Sequence, residues 1–156
     1  MFLSRVVSSF IAVTSALALA LLPGAPALAA GCDHVSKADV GKALGTPVSS
    51  VHALDRPGSE NCTYRTADFI PSVIVSTSSA DAGHESERFA SVTGMSASLF
   101  QFKPVHVSGV GDEAVLITHI LWVRKGRSIY SINAIVRGGA QHAVAVERAI
   151  AAKVHP

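Results

Sequence analysis

Cys32 and Cys62 are the only two cysteines in the chain, and whether they are joined constrains what the rest can fold into. A bridge needs an oxidising compartment, so the N-terminus decides the question. Arg5 supplies a positive charge, residues 10–22 (FIAVTSALALALL) form an uncharged apolar run, and Pro23, Gly24 and Pro26 break any helix. Ala27-Leu28-Ala29 then offers the small side chains that a signal peptidase accepts. That order predicts a secretory signal peptide over residues 1–29 and one exported domain over 30–156. A membrane span needs about 20 apolar residues; this run is shorter and ends in a Pro/Gly cluster, so no permanent span is predicted. The expected location is secreted, periplasmic or in the cell envelope.

Outside the cytosol the two cysteines have two fates. Residues 28–32 (LAAGC) read as a lipobox that would place a lipid on Cys32. Against this, Ala29 stands where a larger aliphatic residue is preferred, and lipidation would leave Cys62 an orphan thiol. Pairing leaves none over, and is favoured. It would close a loop of about 30 residues, for which chain entropy gives roughly 3–4 kcal/mol, against roughly 5–15 kcal/mol for a typical domain.

About 125 residues remain, enough for one domain. The 13 basic residues include Arg5 in the leader and face 11 acids, so the exported part is close to neutral. It carries no basic stripe, and nucleic acid is not an expected partner.

Hydrophobic periodicity and turn residues give the organisation. Ser36 is a good N-cap with Asp39 at capping-box spacing; Val40 and Leu44 share a face, and Gly45 with Pro47 stops the helix. Strands follow over 48–54, 62–66 and 73–78, with turn chemistry at 56–61 (RPGSEN). Residues 81–92 read as a helix capped by Ser79 or Asp81, burying Phe89 and Val92 and ended by Gly94. Residues 105–107 make a marginal strand and 114–118 a clearer one. Strands at 121–124 and 127–136 flank a two-residue hairpin loop at Lys125-Gly126. In the last strand Tyr130, Ile132, Ala134 and Val136 point one way, and Ile129, Ser131, Asn133 and Ile135 the other. A final helix over 140–154 places Ala143, Val146, Ile150 and Val154 on one stripe. The predicted class is α+β: a mostly antiparallel sheet of about six strands flanked by helices, in the order α-β-β-β-α-β-β-β-α.

Motifs that carry chemistry are scarce. Gly109-x-Gly111-x-x-Ala114 fits a relaxed dinucleotide fingerprint, which requires a helix after it and an acid about 20 residues on. Instead a β-branched strand follows, and the next acid after Glu113 is Glu147. The stretch therefore reads as a glycine turn with Asp112 and Glu113 solvated beside it and, as strand neighbours, pointing apart. The seven histidines form no H-x-H or H-x-x-x-H pair, so no metal and no cofactor is expected. No serine lies in a G-x-S-x-G elbow. Trp122, Arg124 and Tyr130 on the hairpin are the candidate binding surface, since aromatic and arginine side chains suit recognition; the plainer alternative is that Trp122 covers core or sheet edge.

The segments CDHVSKADVGKALGTPV, NCTYRT, VSGVGDEAVL, LWVRKGRSIYSI and AVAVERAIAAKV occur in this order. Together, over residues 32–154, they resemble a family of small exported actinobacterial-type envelope proteins known only as a domain of unknown function. The resemblance implies an α/β sandwich similar to the Mog1/PsbP-like architecture, and a bonded Cys32–Cys62. Many members carry a separate lipobox cysteine ahead of the pair; this chain does not, which argues for an unanchored product. No catalytic residues come with the resemblance.

The functional expectation is a non-catalytic secreted or envelope module that binds a protein or envelope component. A carrier of a small hydrophobic ligand is the alternative. A hydrolase with a site assembled in space, using His106 or His119, ranks third.

Overall fold

The computed structural model describes residues 32–156. The predicted signal peptide and its cleavage site lie outside the described residues. In chain order the elements are α1 (Lys37–Leu44), β1 (Ser50–Arg56), β2 (Ser59–Arg65), β3 (Ser72–Ser79), α2 (Glu85–Phe100), β4 (Val105–His106), β5 (Glu113–Ile117), β6 (Ile120–Lys125), β7 (Ser128–Ile135) and α3 (Ala140–Ala151). The α+β class and the expected succession of helices and strands are present, with the marginal strand realised as the two-residue β4.

All seven strands form one sheet in the order β1-β2-β3-β7-β6-β5-β4, and every neighbouring pair is antiparallel. Two meanders meet along β3 and β7, in register from Ser72↔Ile135 to Ser79↔Ser128. Two-residue turns close β1–β2, β5–β6 and β6–β7, whereas the β3–β7 pairing joins strands far apart in the chain and carries a larger loop-closure cost.

The helices divide between the two faces. Val40 and Leu44 of α1 and Ala143, Val146 and Ile150 of α3 join the inward residues of the strands, among them Tyr64, Val75, Leu121, Val123, Tyr130 and Ile132, in the main core. On the opposite face Phe89 of α2 meets Val115, Ile117 and Ile129, with Val92, Ala97 and Trp122 at the margin. The alternation read along the last strand is present: Tyr130, Ile132 and Ala134 fall in the first cluster and Ile129 in the second.

Local chemistry explains the ends of α1. Ser36 Oγ accepts from Asp39 N at 3.0 Å and donates to Asp39 Oδ2 at 2.6 Å, and Gly45 takes the left-handed conformation at φ 68°, as a helix stop requires.

Elsewhere the boundaries differ from the sequence reading. The turn expected across 56–61 shrinks to Pro57 and Gly58, because β1 and β2 pair up to Arg56↔Ser59. The β6–β7 loop is Gly126-Arg127, one residue further on, since Lys125 pairs with Ser128. The largest departure is α2, which runs through Gly94 to Phe100 and stops at Gln101 in the left-handed conformation. Glycine weakens a helix interior but ends it only when it adopts that conformation, and Gly94 stays helical. The expected Ser79 or Asp81 cap is replaced by His84, which makes no side-chain capping bond.

The disulfide is formed: Cys32 and Cys62 lie 2.04 Å apart at sulfur, closing a separation of 30 residues. Tyr64 reinforces it, its buried hydroxyl donating to Val35 O at 2.9 Å; burial pushes the phenol up to about 12. The C-terminal residues strap the same segment, with His155 N donating to His34 O at 2.8 Å, and are tied to β6 by Lys125 Nζ donating to Val154 O at 3.0 Å. Among the described residues no helix is long and apolar enough to cross a membrane.

Candidate binding surfaces

The three hairpin residues singled out in the sequence do not form one exposed patch. Tyr130 faces the main core and is fully buried, its hydroxyl donating to His155 O. Trp122 lies opposite Ser131 on the other face and is half-buried against the α2 cluster. Arg124 shares the Trp122 face but is occupied. A one-residue offset between neighbouring strands reverses the face, and Tyr130 pairs with Val123, not with Trp122 or Arg124.

Arg124 is the centre of an ion-paired lock. Its Nη1 lies 3.1 Å from Asp112 Oδ2 and its Nε 3.2 Å from Glu113 Oε2. Asp112 and Glu113 thus converge on one guanidinium instead of pointing apart, because β5 begins only at Glu113 and Asp112 still belongs to the loop. Asp112 Oδ2 also accepts from Gly126 N at 2.7 Å, tying the loop to the hairpin turn. Gly111, at φ +61°, passes so close to β6 that an added Cβ would sit 2.4 Å from Arg124 O. The glycine-rich stretch is therefore a turn, as read, and its second glycine is required for close backbone approach.

The candidate hydrolytic histidines lie on different segments, His106 in β4 and His119 in the β5–β6 turn. His119 is exposed in the β5–β6 turn, whereas His106 lines an open cleft of about 640 Å³ between α2 and the β4–β5 edge, together with Ser86, Phe89, Pro104, Glu113 and Val115. In that cleft Ser86 Oγ donates to Glu113 Oε1 at 3.0 Å, and the same carboxylate is held by Arg124. The acid thus orients a serine but already serves as the arginine's counter-ion.

At the disulfide, Glu60 Oε1 lies 2.9 Å from Cys62 Sγ and Glu60 Oε2 lies 3.8 Å from His34 Nε2. Burial pushes the Glu60 carboxyl up, with His34 opposing. Cys32, Glu60 and Cys62 bring donor atoms within 4.8 Å of one another, but the two sulfurs are bonded to each other and present no thiolate to a metal.

The feature that sequence reasoning missed is an apolar rim. Nine large hydrophobic residues are exposed among the described residues, and all but Leu54 and Met95 belong to segments that meet at one end of the sheet. β2 ends at Arg65 and β3 begins at Ser72, so the loop between them carries Phe69 and Ile70 to that end. Ile135 pairs with Ser72, and Val105 pairs with Leu116, next to the β5–β6 turn. Leu99 and Phe100 close α2, and Phe102 lies in the short link from α2 to β4. Leu99 is 76% and Phe69 68% exposed. Arg65 places its guanidinium 5.9 Å from the Phe69 ring centroid, a cation–π distance. The signal in the sequence was the run of Leu99, Phe100 and Phe102 beyond Gly94, hidden by ending the helix at that glycine.

No protein-family profile, curated protein or solved structure matches this chain.

Proposed function

We propose that this protein is an exported, non-catalytic module that binds a component of the cell envelope, and that it makes contact through the apolar rim instead of the Trp122 hairpin. The observation that carries the reading is the collection of Phe69, Ile70, Leu99, Phe100, Phe102, Val105 and Ile135 at one end of the sheet. Large apolar side chains exposed together at one end of a fold mark interaction sites. The signal-peptide pattern and the resemblance of residues 32–154 to exported envelope proteins support the setting; the disulfide is compatible with it.

Site-specific photo-crosslinking in the native host tests this. A photoreactive residue at position 102 is expected to give envelope-derived adducts, and one at position 54, exposed but off the rim, is expected to give none. Equal yields at both positions, or none at either, would remove the reading.

The cleft beside α2 favours a second reading, carriage of a small ligand. Phe89, Pro104 and Val115 supply apolar lining, and His106 and Glu113 supply polar groups. Native mass spectrometry of protein purified from its host would show a retained mass; a repeatedly empty protein would end this alternative.

A further inference from the structure

We infer that the occupant of the rim is the surface of an anionic lipid bilayer. This inference rests on the binding-module reading and names the component bound. Two independent features of the rim point to lipid: its shape and its charge.

The shape follows from strand order. The apolar positions come from the β2–β3 loop, the end of β7, the end of α2 and the start of β4. Strand spacing sets about 20 Å between β3 and β4, four steps apart in the sheet. The rim is therefore a row along one sheet end, not a pocket. A row of separate loop tips suits shallow insertion at the depth of lipid headgroups, where apolar side chains reach the acyl boundary and the backbone polar groups stay hydrated.

The charge balance at this end favours bases. Residues 65–71, 98–106, 117–120 and 135–139, which build this end, hold Arg65, Lys103 and Arg137 against one carboxylate, Asp68. The opposite ends of the strands and the start of α2 mix Asp55, Glu60, Asp81, Glu85, Glu87, Asp112 and Glu113 with Arg56, Arg88, Arg124, Lys125 and Arg127. The apolar end thus carries a net positive charge, whereas acids outnumber bases at the other end. Basic residues beside membrane-inserting apolar side chains add attraction to anionic headgroups.

Vesicle co-sedimentation of the exported, intact protein tests the inference. Vesicles rich in phosphatidylglycerol are expected to pull the protein down, and phosphatidylcholine vesicles to do so far less. Lys103→Glu and Arg137→Glu should each weaken binding to the anionic vesicles at least about fivefold. Leu99→Ser with Phe102→Ser should abolish it, and Leu54→Ser should leave it unchanged. Thermal melting before each assay establishes that the variants are folded.

No binding of the folded wild type to anionic vesicles would overturn the inference, as would binding indifferent to the Leu99 and Phe102 changes. Rim-dependent dimerisation without vesicle binding would assign the patch to a second copy instead. The two readings fail separately: rim crosslinks to an envelope protein with no vesicle binding sink only the lipid assignment, whereas an absence of rim crosslinks sinks the binding module as well.

Discussion

Asp112 shuts the β6–β7 hairpin through Arg124. One carboxylate oxygen, Asp112 Oδ2, accepts from Arg124 Nη1 at 3.1 Å and from Gly126 N at 2.7 Å, and Arg124 Nη1 also donates to Gly126 O at 3.2 Å. The loop before β5 thereby holds the far end of the sheet, opposite the apolar rim. Asp112 is about half exposed, so solvent screens the ion pair, and its hydrogen bond to the turn should outweigh its charge.

Asp112→Ala should therefore cost about 1–2 kcal/mol of stability in urea unfolding. Gly111→Ala should cost more, on the order of 3 kcal/mol, because φ +61° and an Arg124 carbonyl 2.4 Å from the new Cβ both oppose it. If Gly111→Ala proved the milder of the two, the close approach would not matter.

Gly94 should behave in the opposite way. It lies inside α2, exposed, with nothing within 4 Å of an added Cβ. Gly94→Ala is expected to stabilise by roughly 0.5–1 kcal/mol, seen as a higher melting temperature. A loss of stability would mean that α2 does not continue through this position in solution.

The disulfide closes a separation of 30 residues. Replacing both cysteines by alanine should lower stability by roughly 3–4 kcal/mol, measured by denaturant unfolding beside the oxidised protein. Thiol titration of the unfolded, unreduced protein should find no free sulfhydryl.

Glu147 makes stability depend on pH. It is fully buried on α3; Oε1 accepts from Ala134 N at 2.9 Å, while Oε2 has no hydrogen-bond partner. Burial pushes the carboxyl up to about 7 from an ordinary value of 4.5, the Ala134 N–H opposing. The native state thus holds a proton that the unfolded chain releases at lower pH. Stability should fall as pH rises from about 4.5 to about 7 and then level off, by at most about 3 kcal/mol. Glu147→Gln should flatten this part of the pH profile and raise stability at pH 8. An unchanged slope would show that the carboxyl is not protonated in the fold.

Much of the fold is local in origin and could be read in the chain. The Ser36–Asp39 cap, the Gly45 stop, the two-faced alternation of β7 and the α3 stripe through Ala143, Val146, Ile150 and Val154 need only neighbouring residues to specify them. The cysteine pair was legible because a covalent partner had to be found and only one was present.

Position in space is what local pattern could not supply. Tyr130 and Trp122 looked like one patch but lie on opposite faces, because strand register decides the face and register depends on the partner strand. Asp112 and Glu113 meet at Arg124, a residue on another strand. Glu147 lies at helical spacing from Ala143 and Ile150, but only the packing of α3 on the sheet decides that its carboxylate is fully buried. The sequence alone determined which segments become helices and strands, and that one covalent tie was available, since these follow from spacing and chemistry within a few residues. Only the tertiary structure decided which side chains stay in water. The antiparallel β3–β7 pairing and the sheet's two unequal faces bring the ends of four distant segments together as an apolar rim, and nothing in the local pattern of any one of them encodes that meeting.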